Sequence, residues 1–471
     1  MLFSSITFLV FFFPAVLVLY YALPSLRLRN CVLLFASLLF YAWGEPKFVF
    51  LMLGSILFNY GAGLLLGRMG ANRKVILALA IVVNIAVLFV FKYLGFSIKI
   101  IDMFLNALHI KPLTQINLVM PIGISFYTFQ SISYLVDVYR TPSLYQRNAL
   151  KLGLYISFFP QLIAGPIVRY HDISEQIEKR THSIEKVALG LERFIIGLSK
   201  KVLLANAFAL VCDKIYGAPL TDFGAYAAWI ACLAYALQIY YDFSGYSDMA
   251  IGLAKIFGFE LLENFNYPYA ASSITDFWRR WHMSLTNFFR DYVYIPLGGN
   301  RMGRIRTIVN RYIVFFATGL WHGAAFNFIL WGLAHGTLMT IERLFCKKGG
   351  GVVRSIISHA YTILFVALLW VLFRTGTGVS IKLFFKMAGI NFQAVTLNEY
   401  LHLYIDTRFF ILALIGIMFS FPWWHRISFP TKGAGVVVLT ALKYCALAIL
   451  LVLCYANLAD NSYNPFIYFR F

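Results

Sequence analysis

From Leu2 to Leu23, Phe48 to Leu66, Val75 to Phe96 and Val436 to Tyr455 the chain runs almost without a charge. Stretches of this length match the helix of ~20 residues that crosses a bilayer. In hydrocarbon every backbone N–H and C=O must be bonded internally, which leaves helices or closed barrels. The apolar and polar residues do not alternate as the strands of a lumen-lined barrel require. Composition agrees: 61% of residues are hydrophobic and 13% are charged, against roughly 25% charged in a soluble domain. An all-α polytopic membrane protein embedded in the lipid bilayer is predicted. Further runs at Asn30–Trp43, Leu118–Val136, Val202–Tyr216, Ala225–Tyr241, Tyr361–Phe373 and Phe409–Trp424 bring the expected total to about ten crossings, by the charges of the loops.

Lysine and arginine outnumber aspartate and glutamate by 40 to 20. Cytoplasmic loops carry such an excess, and part of it is available to an anionic cosubstrate or lipid headgroup. No soluble basic domain exists to hold nucleic acid. The first positive charges, Arg27 and Arg29, follow the first apolar run. That order is the reverse of a secretory signal peptide and predicts an external N-terminus. The six cysteines (Cys31, Cys212, Cys232, Cys346, Cys445 and Cys454) are scattered, with no Cys-x-x-Cys pair, so neither a zinc site nor a disulfide framework is suggested. There is no internal repeat and no linker, and residues 1–471 read as a single membrane domain.

Two runs break the alternation of sides. Leu152–Val168 and Ile313–Met339 are each flanked by basic residues at both ends, which predicts re-entrant or broken segments. The first also contains Pro160 and Pro166, which a straight helix does not accommodate. Irregular backbone at membrane depth is tolerated where it is buried in protein or lines a wet cavity, so Leu152–Val168 is expected to line a tunnel. The gap from Arg374 to Arg408 is expected to be external.

The run Ile313–Met339 holds His322, His335, Gly319, Gly323, Gly332 and Gly336. An ionisable group within a membrane segment is costly, and its first reading is functional. Histidine also suits proton transfer near neutral pH. Along an unbroken helix the 13 residues between His322 and His335 amount to about 20 Å and roughly 140°. The two form no dyad unless the helix breaks at Gly323 or Gly332, and His335 reads as a packing residue. Thr275–Tyr294 places Trp278, Trp281, Leu285, Phe288 and Tyr292 on one helical face with Arg279, Arg280 and Arg290 opposite. An interfacial amphipathic helix is predicted there, with His282 bordering the aromatic stripe. Asp242 and Asp248 read as interfacial carboxylates bonded to helix ends or paired with a nearby arginine. The other histidines (His109, His171, His182, His359, His402 and His425) read as loop or interface residues. No metal-ligand spacing is present.

Six segments resemble the membrane-bound O-acyltransferase (MBOAT) family. They are Pro121-Ile-Gly-Ile-Ser-Phe-Tyr-Thr-Phe-Gln, Phe159-Pro-Gln-Leu-Ile-Ala-Gly-Pro-Ile, Tyr241-Asp-Phe-Ser-Gly-Tyr-Ser-Asp-Met-Ala, Asp276-Phe-Trp-Arg-Arg-Trp-His-Met-Ser-Leu, Phe289-Arg-Asp-Tyr-Val-Tyr-Ile-Pro-Leu-Gly-Gly-Asn-Arg and Gly319-Leu-Trp-His-Gly. Within the family, Ile295-Pro-Leu-Gly-Gly-Asn-Arg is similar to the branch of alginate O-acetylation membrane subunits. The resemblance implies a helical bundle with re-entrant segments around a central tunnel, in the bacterial inner membrane. It also implies acyl transfer from a cytoplasmic thioester, acetyl-CoA or an acyl carrier protein, with no permanently bound cofactor or metal, and a separate periplasmic acetyltransferase partner. The family's catalytic histidine matches His322, and its second polar position matches His282. The arginines near His282, foremost Arg279, Arg280 and Arg301, are the expected contacts of the anionic donor. A secondary transporter also uses interrupted helices, but the two related halves usual in such proteins are absent from this sequence.

Overall fold

The computed structural model describes residues 1–68, 70, 72–114, 116, 118–345, 351–390, 404–423, 434–460 and 463–467. Cys346, His402, Trp424, His425 and residues 391–403 of the expected external gap lie outside the described residues. Among the described residues the chain is helical, with no strand, and it divides into two compact units.

The first unit comprises Met1–Leu191, Ala250–Leu262 and Gly323–Ala325. It holds α1 (Phe13–Ala22), α2 (Leu26–Gly44), α3 (Phe48–Gly67), α4 (Arg73–Leu88), α5 (Leu94–Ala107), α6 (Ile124–Arg140), α7 (Ala149–Ser157), α8 (Phe159–Leu162), α9 (Tyr170–Glu178) and the start of α10 (Ile184–Ser199). Local signals set several of these boundaries. The Ser25 hydroxyl accepts the Leu28 N–H at the start of α2, and the Asn148 carbonyl accepts the Leu150 and Lys151 N–H groups at the start of α7. Such caps satisfy backbone donors that the helix itself leaves free. Between α3 and α4, Asn59 and Asn84 exchange amide hydrogen bonds of 3.1 and 2.8 Å, the polar adhesion that joins helices where lipid supplies no hydrophobic drive.

The stretch Leu152–Val168 is broken, as its prolines predict. α7 has nine residues, roughly 14 Å, which is too short for a hydrocarbon core of ~30 Å. It ends at Phe158, whose ψ of 108° turns the chain out of the helix before Pro160. Every residue from Leu152 to Val168 is buried. Side chains cover the break: the Ser37 hydroxyl accepts the Phe159 N–H at 3.0 Å, and the Gln161 amide donates to the Tyr155 carbonyl at 2.7 Å. Beyond it, α9 docks on the end of α6 through His171, whose Nδ1 lies 2.8 Å from the Asp137 carboxylate.

The second unit comprises Glu192–Met249, Glu263–His322 and Phe326–Phe471. The remainder of α10 continues through a wider turn, Lys200–Ala205, into α11 (Asn206–Gly217). There follow α12 (Ala225–Ile256), α13 (Ile274–Arg280), α14 (Met283–Phe289), α15 (Gly303–His322), α16 (Phe326–Phe345), α17 (Val352–Arg374), α18 (Thr377–Met387), α19 (Thr407–Phe419) and α20 (Ala434–Asp460).

Three expectations change in detail. Six helical rods among the described residues are long and apolar enough to cross a membrane: Leu26–Gly44, Phe48–Gly67, Arg73–Ala107, Ile184–Gly217, Val352–Arg374 and Ala434–Asp460. The four expected runs outside this set are Leu2–Leu23 and Phe409–Trp424, where the helices Thr7–Ala22 and Thr407–Phe419 are shorter, Leu118–Val136, where α6 has 17 residues, and Ala225–Tyr241, which lies within α12. Second, α12 does not stop at Tyr241 but carries Asp242 and Asp248 inside it. The helix tolerates them because both are paired. Asp248 meets Arg193 at 2.8 Å and Lys200 at 2.6 Å, and Asp242 meets Lys201 at 2.7 Å with both side chains buried. Asp242 also accepts the Ile467 N–H at 2.8 Å, while Lys201 donates to the Pro465 carbonyl.

Third, Thr275–Tyr294 is not one helix. It splits at Trp281–His282 into α13, α14 and a wider turn, Arg290–Tyr294. The apolar stripe remains, with Trp278, Trp281, Leu285 and Phe288 all buried. The break is held by a neighbouring strand of chain: Asn266 N–H donates to the Arg280 carbonyl and Met283 N–H to the Asn264 carbonyl, each at 2.9 Å.

The run Ile313–Met339 is the broken helix pair that its flanking charges predict. α15 ends at His322, residues 323–325 turn, and α16 packs back along α15. Cysteines placed singly at Ile305 and Val353 in a cysteine-free background should therefore react with a membrane-impermeant maleimide from one common side. Reaction from opposite sides would rule out the hairpin.

His171 supplies a pH test of the first unit. Hydrogen bonds to Asp137 and then Asp172 push its pKa up to about 9, against ~6.5 in an unfolded chain. Its stabilisation is therefore complete below pH 6.5 and disappears as pH rises through 9. The ring is half exposed, and solvent screening leaves roughly 0.5–1 kcal/mol. Thermal unfolding in detergent should show wild type above His171→Gln at pH 6 and the two equal at pH 10. A constant difference across that range would refute the linkage.

Candidate active site

The hairpin α15–α16 places His322. Its two helices cross in close contact because of glycines. A Cβ on Gly319 would strike the Phe328 carbonyl oxygen, and one on Gly332 the Phe315 carbonyl oxygen. Such small-residue crossings bring backbones together where larger side chains hold them apart. At the end of α15, His322 is buried at 4% exposure. Its ring centroid lies 4.8 Å from Trp321, 5.1 Å from Trp331 and 5.1 Å from Phe373. Asn327 steadies the Phe373 side of this cage by donating to the Leu372 and Phe373 carbonyls at the end of α17.

The helix break at residue 323 brings His335 to the same aromatic cluster. Trp331, fully buried, touches His322 on one side and His335 at 4.9 Å on the other. His335 is wholly buried against Trp278, Phe277 and Phe315, and neither ring nitrogen has a hydrogen-bond partner among the described residues.

His282 sits in the break between α13 and α14 with a left-handed φ of 44°. A non-glycine residue held there carries about 1–3 kcal/mol of strain, which structures retain when neighbours over-determine it, commonly at functional sites. Its ring is fully buried, 5.6 Å from Trp321 and 4.7 Å from Phe243. Nδ1 lies 3.0 Å from Oδ1 of Asn264. Trp321 therefore borders both histidines of the sequence motifs.

α13 also carries the arginines. Its N-terminus is anchored on α16 by Glu342, a buried carboxylate that accepts the Ile274 N–H at 2.5 Å, the Thr275 N–H at 3.1 Å and the Thr275 hydroxyl at 2.8 Å. An anion is favoured there by the unsatisfied N–H groups and the helix dipole. From α13 the chain lines a cleft of about 430 Å³, walled by Trp278, Met283, Tyr294 and Phe315 and rimmed by Arg279, Arg290 and Arg311. Arg279 has no ion-pair partner among the described residues. Arg311 donates to the Thr340 hydroxyl at 2.9 Å, and Arg290 pairs with Asp291. Of the other expected donor contacts, Arg280 pairs with Asp276 at 3.0 Å and Arg301 is exposed; neither lines the cleft. At the cleft wall, Trp278 packs 5.7 Å from Trp331, the residue that touches His322.

Two buried histidines that both pack on Trp321, one of them with a polar tether, near a basic and aromatic cleft, are suited to deprotonating a hydroxyl close to an anionic cosubstrate. Among the described residues no cluster of His, Cys, Asp and Glu could hold a metal ion.

Comparison with known proteins decides the chemistry. The profile of the membrane-bound O-acyltransferase family matches residues 143–348, which contain both histidines. The chain is 38% identical to the Pseudomonas putida protein named "Probable alginate O-acetylase AlgI", over the full length of both. This chain belongs to the membrane-bound O-acyltransferase family. It is a multi-pass membrane O-acyltransferase. The namesake from Pseudomonas aeruginosa is 43% identical over 79% of this chain and 72% of its own. A Helicobacter pylori peptidoglycan O-acetyltransferase is 34% identical over 93% of this chain and 91% of its own.

Of the residues described above, His322, His282 and Arg279 are named from sequence, whereas Asn264, Glu342 and Arg311 enter as candidates only through the structure. Asn264 lies in a polar loop among other asparagines and has no local pattern that marks it. Glu342 offered one signal, a carboxylate near the end of a membrane segment.

Proposed function

We propose that this O-acyltransferase moves acetyl groups from a cytoplasmic thioester, acetyl-CoA or an acyl carrier protein, across the bacterial inner membrane for O-acetylation of exported alginate or a close relative of it. A periplasmic acetyltransferase partner completes delivery to the polymer. The observation that carries this reading is the end-to-end likeness to a protein named as an alginate O-acetylase. The Helicobacter pylori relative, matched over nearly its whole length, supports peptidoglycan as the second acceptor to test.

In the proposed reaction His322 is the general base. It takes the proton of the acceptor hydroxyl as that oxygen attacks the thioester carbonyl. The C–O bond forms, the C–S bond breaks, and the proton passes from His322 to the departing thiolate. The donor's phosphates, or the acidic surface of a carrier protein, meet Arg279, Arg290 and Arg311 at the cleft. A cleft of this size lies within the usual range of ligand sites. The uncharged arm of the donor runs along Trp278, whose buried indole N–H has no hydrogen-bond partner among the described residues and is available to an amide carbonyl.

The experiment is transfer of radiolabelled acetyl from acetyl-CoA or from an acetylated acyl carrier protein, in membrane vesicles holding the chain together with its periplasmic acetyltransferase partner, to alginate or to peptidoglycan fragments. Label in alginate supports the first reading, label in peptidoglycan the second, and label in neither overturns both. Two variants test the residues. His322→Ala should cut kcat by about 10³-fold, within the range for general-base catalysis, with folded yield near wild type; near-normal turnover would sink the assignment. Arg279→Ala and Arg311→Ala should each raise the donor KM by roughly tenfold with a smaller change in kcat, whereas Arg301→Ala should not. Wild-type donor KM in both cleft variants would place donor binding elsewhere.

A further inference from the structure

We infer that Asn264 is a positioning residue for His282, holding its imidazole in one tautomer with Nε2 as the proton-accepting atom. The inference rests on the reading of His282 as part of the acyl-transfer site.

The orientation of the Asn264 amide follows from what surrounds it. Oδ1 accepts the Ser284 backbone N–H at 3.3 Å and the Ser284 hydroxyl at 2.8 Å. A backbone N–H can only donate, so the atom facing it is the carbonyl oxygen. The other end of the amide agrees, with Nδ2 donating to the Ser247 hydroxyl at 3.0 Å. Since Oδ1 is a pure acceptor, the nitrogen 3.0 Å away, Nδ1 of His282, carries a proton. In a neutral imidazole the second nitrogen then holds the lone pair. That nitrogen, Nε2, is buried and has no hydrogen-bond partner among the described residues.

The backbone holds the same arrangement. The Asn264 backbone carbonyl accepts the Met283 N–H, so Asn264 bonds both the residue after His282 and the His282 ring, while Asn266 N–H holds the Arg280 carbonyl before it. This pinning accounts for the left-handed conformation of His282. A histidine whose only task was to fill space would need neither the strained backbone nor the fixed amide. A carbonyl oxygen that accepts from Nδ1 is a familiar way to set tautomer and ring orientation.

The test uses the full-length protein in vesicles with acetyl-CoA as the probe donor. Asn264→Ala should lower kcat by about 10²-fold, the lower range of general acid–base effects, with donor KM within about threefold of wild type. Asn264→Asp keeps the acceptor and adds a negative charge. It should retain more activity than alanine and move the acid limb of the kcat profile upward by roughly one to three pH units. A purely structural role would lower the folded yield of both variants and leave the pH profile of the folded fraction where it is. Wild-type kcat in Asn264→Ala, or an unmoved acid limb in Asn264→Asp, would overturn the proposal. ¹⁵N NMR of histidine-labelled wild type reads the tautomer without either variant: a protonated Nδ1 and a bare Nε2 support it, and the reverse sinks it. His282→Ala separates the two layers. If it turns over like wild type, the reading of His282 itself fails. If it is inactive while Asn264→Ala is not, only the role of Asn264 fails.

Discussion

The crossing of α15 and α16 at Gly319 and Gly332 is the contact on which the second unit's site depends. Either glycine, given a side chain, would meet a backbone carbonyl of the opposite helix, and a backbone cannot rotate away as a side chain can. The short distance sets the register of the hairpin. Register in turn puts Trp331 against both His322 and His335, and puts Glu342 at the N-terminus of α13. α13 then presents Trp278 inward and Arg279 to the cleft. One steric condition on the backbone thus propagates to His322, to its aromatic cage and to the basic rim.

Two places depart from regular helix, and both use the same physical remedy. At Phe158 the freed backbone groups and their neighbours are met by Ser37 and Gln161; at His282 they are met by Asn264 and Asn266. In an apolar surrounding an unmet N–H or C=O costs several kcal/mol. A helix break there is possible only where a polar side chain or another segment of backbone has been brought alongside. Breaks of this kind are therefore the rigid places of such a protein. The backbone groups bonded there are fixed by these partners, so a side chain placed within a break is held in a defined orientation.

What could be read from sequence divides along the same line. Phe48–Leu66 is almost the span of α3, because an uninterrupted apolar run of that length leaves little choice. The break in Leu152–Val168 was legible from its prolines, and that in Ile313–Met339 from the arginines at both ends. The break at His282 was not legible, because its amphipathic pattern continues through it. What interrupts the helix is the backbone of Asn264 and Asn266, supplied from another part of the chain. The same reason hid Glu342 as an anchor of α13. Counting positive charges found a basic zone but could not say which arginines turn toward the cleft, which Arg311 lines and Arg301 does not.

The buried pair of Lys201 and Asp242 carries a consequence for biosynthesis. Lys201 also donates to the Asn206 side chain, and the other partners of the pair are the backbone groups of Pro465 and Ile467, residues translated long after both charges. Until they arrive, the ion pair sits with an open valence in an apolar setting, a costly state. The nascent protein is thus obliged to keep this seam loose, hydrated or chaperoned while the later helices insert. A ribosome that stops early releases a chain whose defect lies at the middle of α12 rather than at its ragged end.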